Sequence, residues 1–298
     1  MKSLQLIVLL IFHLGTSIPM DAQASRSAKG VYSLEVITKE NGLPQVKANA
    51  FCQDDEGYYY LGTDQGLYRF DGIRFYPLVI NGFPNSVVTD LFPLGPKKLL
   101  VSTLSGMFQI NLNDFSSEFI PIHGFIHEPI IDILSPEGGL FLVSKSNRIF
   151  SYSSGEIQLF LDIPKLTGYL DGSPFDLRFD ENGTLWCGTL QGLFAFEKEG
   201  GEWMQVQHHF KEKAVRTLIP TDTSIIGLAG LRKMVEIKNG KVSPPISFPE
   251  FSALDTTFKG VRKAIHIGEQ KWLLSHYTAT ALIWDLKNRT LVTVGGDE

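Results

Sequence analysis

Apolar positions along this chain fall in short runs that alternate with polar residues and are broken by Gly, Asn, Asp and Pro. No stretch keeps helical periodicity over a useful length. The clearest runs are Ala48 to Gln53, Val87 to Phe92, Ile130 to Leu134, Pro174 to Phe179, Ala214 to Ile219 and Val261 to Ile267. Each reads as a strand and opens a unit of the same composition. A turn follows, as in Asp54-Asp55-Glu56-Gly57 and Asp180-Glu181-Asn182-Gly183, and leads to a second strand such as Tyr58 to Gly62, Leu185 to Gly188 or Lys271 to Ser275. A tight turn at Gly66, Gly106 or Gly192 opens a third strand. A more polar fourth closes the unit, as in Arg74 to Leu78, Phe115 to Ile120 and Ile157 to Leu161.

The units are copies of one another. Leu61-Gly62-Thr63-Asp64-Gln65-Gly66-Leu67-Tyr68-Arg69-Phe70 matches Cys187-Gly188-Thr189-Leu190-Gln191-Gly192-Leu193-Phe194-Ala195-Phe196, and weaker copies begin at Ser102 and Ser144 and near Leu228 and Ser275. A period of 40 to 47 residues between these starts is that of a four-stranded propeller blade. A lone sheet of four strands leaves both faces wet, whereas blades packed around an axis bury Leu, Phe, Tyr and Trp between neighbours. The expected fold is therefore an all-β propeller of four-stranded antiparallel blades, six of them recognisable; a solenoid of β-arches is the alternative. Val31 to Thr38 and Thr290 to Val294 both read as outer strands. That gives seven outer strands for six inner triplets, the count of an incomplete seven-bladed ring, as in a fragment of a longer chain, or of a sixth blade with a fifth strand.

Composition narrows the compartment and the partners. Lys2, the apolar run Leu4 to Leu14 and Ala22-Gln23-Ala24 form a signal peptide over residues 1–24, leaving 25–298 as the mature propeller domain, periplasmic or secreted. No other run is long enough to span a bilayer. A formal charge of -5 without a Lys/Arg cluster leaves no field for nucleic acid. Cys52 and Cys187, three repeats apart, are expected to be unpaired. Asn182-Gly183-Thr184 and Asn288-Arg289-Thr290 match the glycosylation sequon but are read as structural, the first as a hairpin turn.

Glu40-Asn41-Gly42-Leu43-Pro44, followed by Gln53-Asp54-Asp55-Glu56-Gly57 and by Tyr60-Leu61-Gly62-Thr63 through Gly66-Leu67-Tyr68-Arg69-Phe70-Asp71-Gly72, closely resembles the two-component regulator propeller repeat. Asp180 to Phe196 repeats the match with Trp186 in place, and Tyr60 stands where the repeat has Trp. The resemblance covers the chain from about Val31 onward. It implies the extracytoplasmic sensor region of a hybrid sensor histidine kinase, with an oligosaccharide or other small-molecule ligand and, as protein partner, a second propeller or a dimer mate. The second propeller, β-sandwich, membrane helix and kinase of such proteins are not recognisable here. His127-Glu128-Pro129 precedes an inner strand and is not a phosphoacceptor box, and Gly295-Gly296-Asp297-Glu298 spells most of a cyclase signature without a cyclase around it.

The candidate site comes from register. Twelve residues before each turn motif stand Ala50, Asp90, Asp132, Asp176, Arg216 and Lys263, all on inner strands that surround a propeller axis. Asp90, Asp132, Asp176 and Arg216 are thus the candidate ligand-binding residues, the floor of a site that hydrogen-bonds sugar hydroxyls; the competing reading is a solvated, self-paired channel lining. Exposed aromatics are expected from connecting loops, at Phe83, Phe125 and Tyr169, while Tyr58, Tyr59, Tyr60, Trp186 and Trp272 pack between blades. His208-His209 would direct adjacent side chains to opposite faces and so form no metal site. No catalytic residue, cofactor or metal is expected, because no nucleophile elbow, zinc-binding helix or phosphate loop is present. Two alternatives stay open: a stand-alone secreted module for a protein or glycan, and a propeller hydrolase or lyase.

Overall fold

The computed structural model describes residues 46–125, 128–136, 139–170, 174–211, 213–229, 233–247, 261–268, 270–276, 281–288 and 290–294. The signal peptide expected over 1–24 and the outer strand expected over Val31 to Thr38, the seventh in the count above, lie outside the described residues. The chain divides into two compact units at Ala214/Val215.

The first unit carries four blades. Blade one is β1 (Ala48–Gln53), β2 (Tyr59–Thr63), β3 (Gly66–Phe70) and β4 (Phe75–Pro77). Blade two is β5 (Val88–Pro93), β6 (Lys98–Thr103), β7 (Gly106–Asn111) and β8 (Ser116–Ile120). Blade three is β9 (Ile130–Leu134), β10 (Leu140–Ser144), β11 (Arg148–Ser153) and β12 (Glu156–Asp162). A short helix, α1 (Ile163–Thr167), follows, then blade four: β13 (Pro174–Phe179), β14 (Leu185–Thr189), β15 (Gly192–Glu199) and β16 (Glu202–His209).

The second unit carries two blades. Blade five is β17 (Val215–Pro220), β18 (Ile225–Ala229), β19 (Lys233–Lys238), and an outer strand broken into β20 (Lys241–Val242) and β21 (Ile246–Ser247), both paired with β19. Blade six is β22 (Val261–Gly268), β23 (Lys271–His276), β24 (Ala281–Asp285) and β25 (Thr290–Val294). In every blade the strands are antiparallel and follow chain order. The inner-strand boundaries agree with the sequence expectation to within a residue or two. Among the described residues, α1 is a helix where the sequence pattern gives none: Asp162 caps it by accepting from the Lys165 N–H, and Gly168 ends it in the left-handed region.

The repeat's signature residues hold its turns. In blade one the Asp54 carboxylate accepts from the Glu56 and Tyr58 N–H groups at 3.0 and 2.9 Å through one oxygen and from the Tyr60 hydroxyl at 3.0 Å through the other. In blade four Asp180 accepts from the Asn182 and Thr184 N–H groups, and from the Trp186 indole at 2.9 Å. Tyr60 therefore replaces Trp without losing the bond. At the next turn Thr63, Thr103 and Thr189 each accept from the N–H two residues on and donate to the carbonyl of Gly66, Gly106 or Gly192. Those glycines have φ of +111, +128 and +126°, where a side chain would be strained.

Seams between blades form the core. Val88, Leu91, Leu99 and Val101 of blade two close over Tyr60 and Leu67 of blade one. Leu100, Met107 and Ile120 of blade two meet Ile133, Leu142, Phe150 and Ile157 of blade three. Phe141, Ile149 and Leu161 of blade three meet Leu177, Leu185, Phe194 and Phe196 of blade four. In the second unit Ile219, Leu228 and Met234 meet Trp272, Leu274 and Trp284. Alternate residues of each strand thus serve the two neighbouring seams.

Candidate functional site

A bulge in every inner strand decides the register of the predicted column. The pairing skips Asn49, Thr89, Ile131, Phe175, Arg216 and Arg262, so that Ala50, Asp90, Asp132, Asp176, Thr217 and Lys263 are the matched positions after the bulge. Asp90, Asp132 and Asp176 share one register on three successive blades of the first unit. Arg216 does not: it is the bulged residue of β17, equivalent to Thr89 rather than to Asp90, because the blade-five hairpin is one residue shorter than spacing alone suggested.

The acids of this column serve the backbone. Asp90 accepts from its own neighbour Leu91 N–H at 2.8 Å and, across the seam, from Ile133 N–H at 2.7 Å. Asp132 accepts from Ile133 N–H, and Asp176 from Leu177 N–H at 2.9 Å while pairing with Arg178 at 3.1 Å. The bulged residues also bridge: the Asn49 amide donates to the Val88 carbonyl and the Thr89 hydroxyl to the Ile130 carbonyl. These contacts tie β1 to β5 and β5 to β9.

Connecting-loop aromatics are packed rather than presented. Phe83 lies edge-on to Phe108, Phe125 edge-on to Phe150, and Tyr169 against Phe194, so each covers the third strand of the blade it leads into. His208 stacks on Phe194 at 4.0 Å, whereas His209 lies beside Trp186 and Phe210. The two rings diverge as expected. Among the described residues no group of three or more His, Cys, Asp or Glu is placed to hold a metal ion. Cys52 and Cys187 are both free; burial, then the charges of Asp90 and Asp54, push the Cys52 thiol up to about 12, and burial pushes Cys187 up as well.

Open space lies at the seam of blades two and three. Two cavities flank Phe119, Ile120 and Pro121. One of about 330 Å³ is mainly apolar, with Leu104, Met107, Ile122, Phe125 and Glu128 in its wall. Glu128 is held there by Arg148, which also pairs with Asp162 at 3.0 Å and lies over the Phe125 ring. The other, about 620 Å³, is polar and lined by Lys98, Gln109, Glu118, Tyr152, Ser154 and Glu156. Burial and then the nearby Glu118 charge raise the Tyr152 hydroxyl above its ordinary value.

With this geometry in hand, comparison with known proteins identifies the fold. No family model and no curated protein matches the chain. Among solved structures it is similar to the extracellular domain of BT4673, described as a hybrid two-component system, from B. thetaiotaomicron (TM-score 0.62, 15% identity, 86% of this chain, 34% of that one). It is also similar to virginiamycin B lyase from Staphylococcus aureus (TM-score 0.61, 12% identity, 86% of each chain) and to YCF48 from Cyanidioschyzon merolae (TM-score 0.58, 10% identity, 85% of this chain, 87% of that one). The chain is a β-propeller. It spans about a third of the BT4673 domain. Among the described residues of the propeller no helix is long and apolar enough to cross a membrane.

The three column acids lie on the first strands of their blades, β5, β9 and β13, whereas the cavities have no counterpart in the sequence reading. The signal for the polar one lay in β7 and β8, where Gln109 stands opposite Glu118, and is visible only once strand register is known.

Proposed function

We propose that the chain is the extracytoplasmic ligand-sensing propeller of a two-component signalling protein, that it binds a carbohydrate-derived ligand, and that it does so without catalysis. The observation that carries this reading is the combination of the repeat signature in blades one and four with a propeller alignable over 86% of the chain to the BT4673 extracellular domain. The signature residues are spent on turns, as the hydrogen bonds of Asp54 and Asp180 require, so they mark the scaffold and leave specificity to the seams and loops. The leader over 1–24 supports export.

A second reading is favoured by size. The propeller and virginiamycin B lyase cover one another over 86% of each chain, the relation expected of a stand-alone module or a lyase. A glycan array probed with the purified chain, with each bound compound then incubated and assayed for products, separates the two. Saturable binding with compounds recovered intact supports the sensor. Product formation supports the lyase, and an array without any saturable binding rejects the carbohydrate ligand.

A further inference from the structure

The three seams of the first unit differ at corresponding places. At the seam of blades one and two, Arg69 of β3 fills the space, its guanidinium 4.8 Å above the Tyr58 ring and 5.8 Å from the Phe115 ring. At the seam of blades three and four, Phe160 and Trp203 of the two outer strands meet edge-on at 5.2 Å. Between blades two and three the residue equivalent to Arg69 is Gln109: Arg69 pairs with Tyr60 on β2, as Gln109 pairs with Leu100 on β6, each three positions past the turn glycine. The turn opposite is Ser154-Gly155, which offers no ring. The open volume is therefore a departure of this seam from the repeat.

The groups around it have hydrogen-bonding capacity to spare. The seam face of blade two runs from buried Met107 and Ile120 to Gln109 opposite Glu118, and Lys98 stands on the same face of β6. The side chains of Lys98, Gln109, Glu118 and Glu156 make no hydrogen bond or ion pair with another described residue, in contrast to the acids of the inner column, whose carboxylates are engaged by backbone N–H groups. Two carboxylates accept, one ammonium donates, and one amide does both. Such a mixture suits neither a polyanion nor a polycation. It matches a polyhydroxylated ring, whose adjacent hydroxyls each donate and accept, while Tyr152, Ile120 and Pro121 supply an apolar surface for its C–H face. About 620 Å³ lies within the ordinary range of ligand sites.

We infer that the cleft between blades two and three, walled by Lys98, Gln109, Glu118, Tyr152 and Glu156, is a binding site for a neutral oligosaccharide. This inference rests on the reading of the chain as a carbohydrate-binding sensor and assigns that binding to the seam rather than to the inner-strand column. The test uses maltotriose, cellotriose and mannotriose as probes, with affinity measured by ligand-observed NMR and calorimetry on the whole chain. Gln109→Arg, which restores the side chain of blade one beside Glu118 and fills the cleft, and Glu118→Ala, which removes an acceptor, are compared with Asp176→Asn in the column. Thermal melts confirm that each variant is folded. Binding of at least one probe is expected, weakened about tenfold or more by both cleft variants and unchanged by Asp176→Asn. Binding that survives both cleft variants but falls with Asp176→Asn overturns the seam site and leaves the sensor reading intact. Failure of all three probes overturns the neutral-oligosaccharide assignment, and the glycan array then decides the sensor reading separately.

Discussion

Single carboxylates do much of the structural work in this chain. Asp54 and Asp180 each satisfy two turn N–H groups and one aromatic donor from the following strand, which explains why the repeat keeps Asp, Gly and an aromatic in fixed spacing. Tyr60→Phe leaves one Asp54 oxygen without its donor in a part-buried site, and should cost about 1–2 kcal/mol in urea unfolding; Tyr60→Trp, the residue of blade four, should be tolerated better. The thiols make a pH prediction. Burial holds Cys52 protonated in the folded chain up to about 12 against an ordinary 9.0, so the unfolded chain loses its proton first as pH rises. The stability this contributes is complete below pH 9 and lost between there and the folded value. Urea midpoints should fall from about pH 8 to about pH 10, and a Cys52→Ser, Cys187→Ala variant should fall less steeply. An equal slope in the variant would remove the thiols from the account.

At the scale of the element, the bulged inner strand sets both packing and legibility. Gly62 lies where a Cβ would meet Val88 Cγ1 at 2.5 Å and Ala50 Cβ at 3.3 Å, so the glycine of the signature admits the next blade. Gly62→Ala should destabilise by about 1–3 kcal/mol, and combination with Val88→Ala should recover part of that loss in a double-mutant cycle. Strictly additive losses would mean that the two residues do not compete for the same space. Inner strands were readable because they carry β-branched and aromatic residues between Asp, Asn and Gly turns. Bulges were not, since the extra residue of a bulge leaves no mark in composition; spacing alone therefore sets Arg216 level with Asp90, whereas β17 places it at the bulge. The polar cleft was hidden for a related reason. Gln109 and Glu118 become neighbours only when β7 and β8 pair, and nothing local distinguishes them from solvated strand residues.

For the whole molecule, stability resides in seams that two blades share. Phe150 is fully buried in the cluster that joins blades two and three, and Phe150→Ala should cost about 3–5 kcal/mol. Because Leu100 and Met107 lose the same partner, hydrogen exchange should accelerate in β6 and β7 as well as in β10 and β11. Acceleration confined to blade three would argue against shared seams.

The connectors add an asymmetry in time. Asn81, on its way into blade two, pairs in parallel with Ser116 on that blade's outer strand, and Ile122 does the same with Ile157 on blade three. Each exposed edge is thus met by chain that lies earlier in the sequence. A polypeptide made from its N-terminus has the guard in hand before the edge emerges, so a nascent blade finds its own connector before it can find the edge of a neighbouring nascent chain. Circular permutation that cuts the chain between Asn81 and Val88 would reverse this order for blade two, releasing the strand first and its cover last, and should lower the yield of refolding at high concentration while leaving the melting temperature of the folded fraction nearly unchanged.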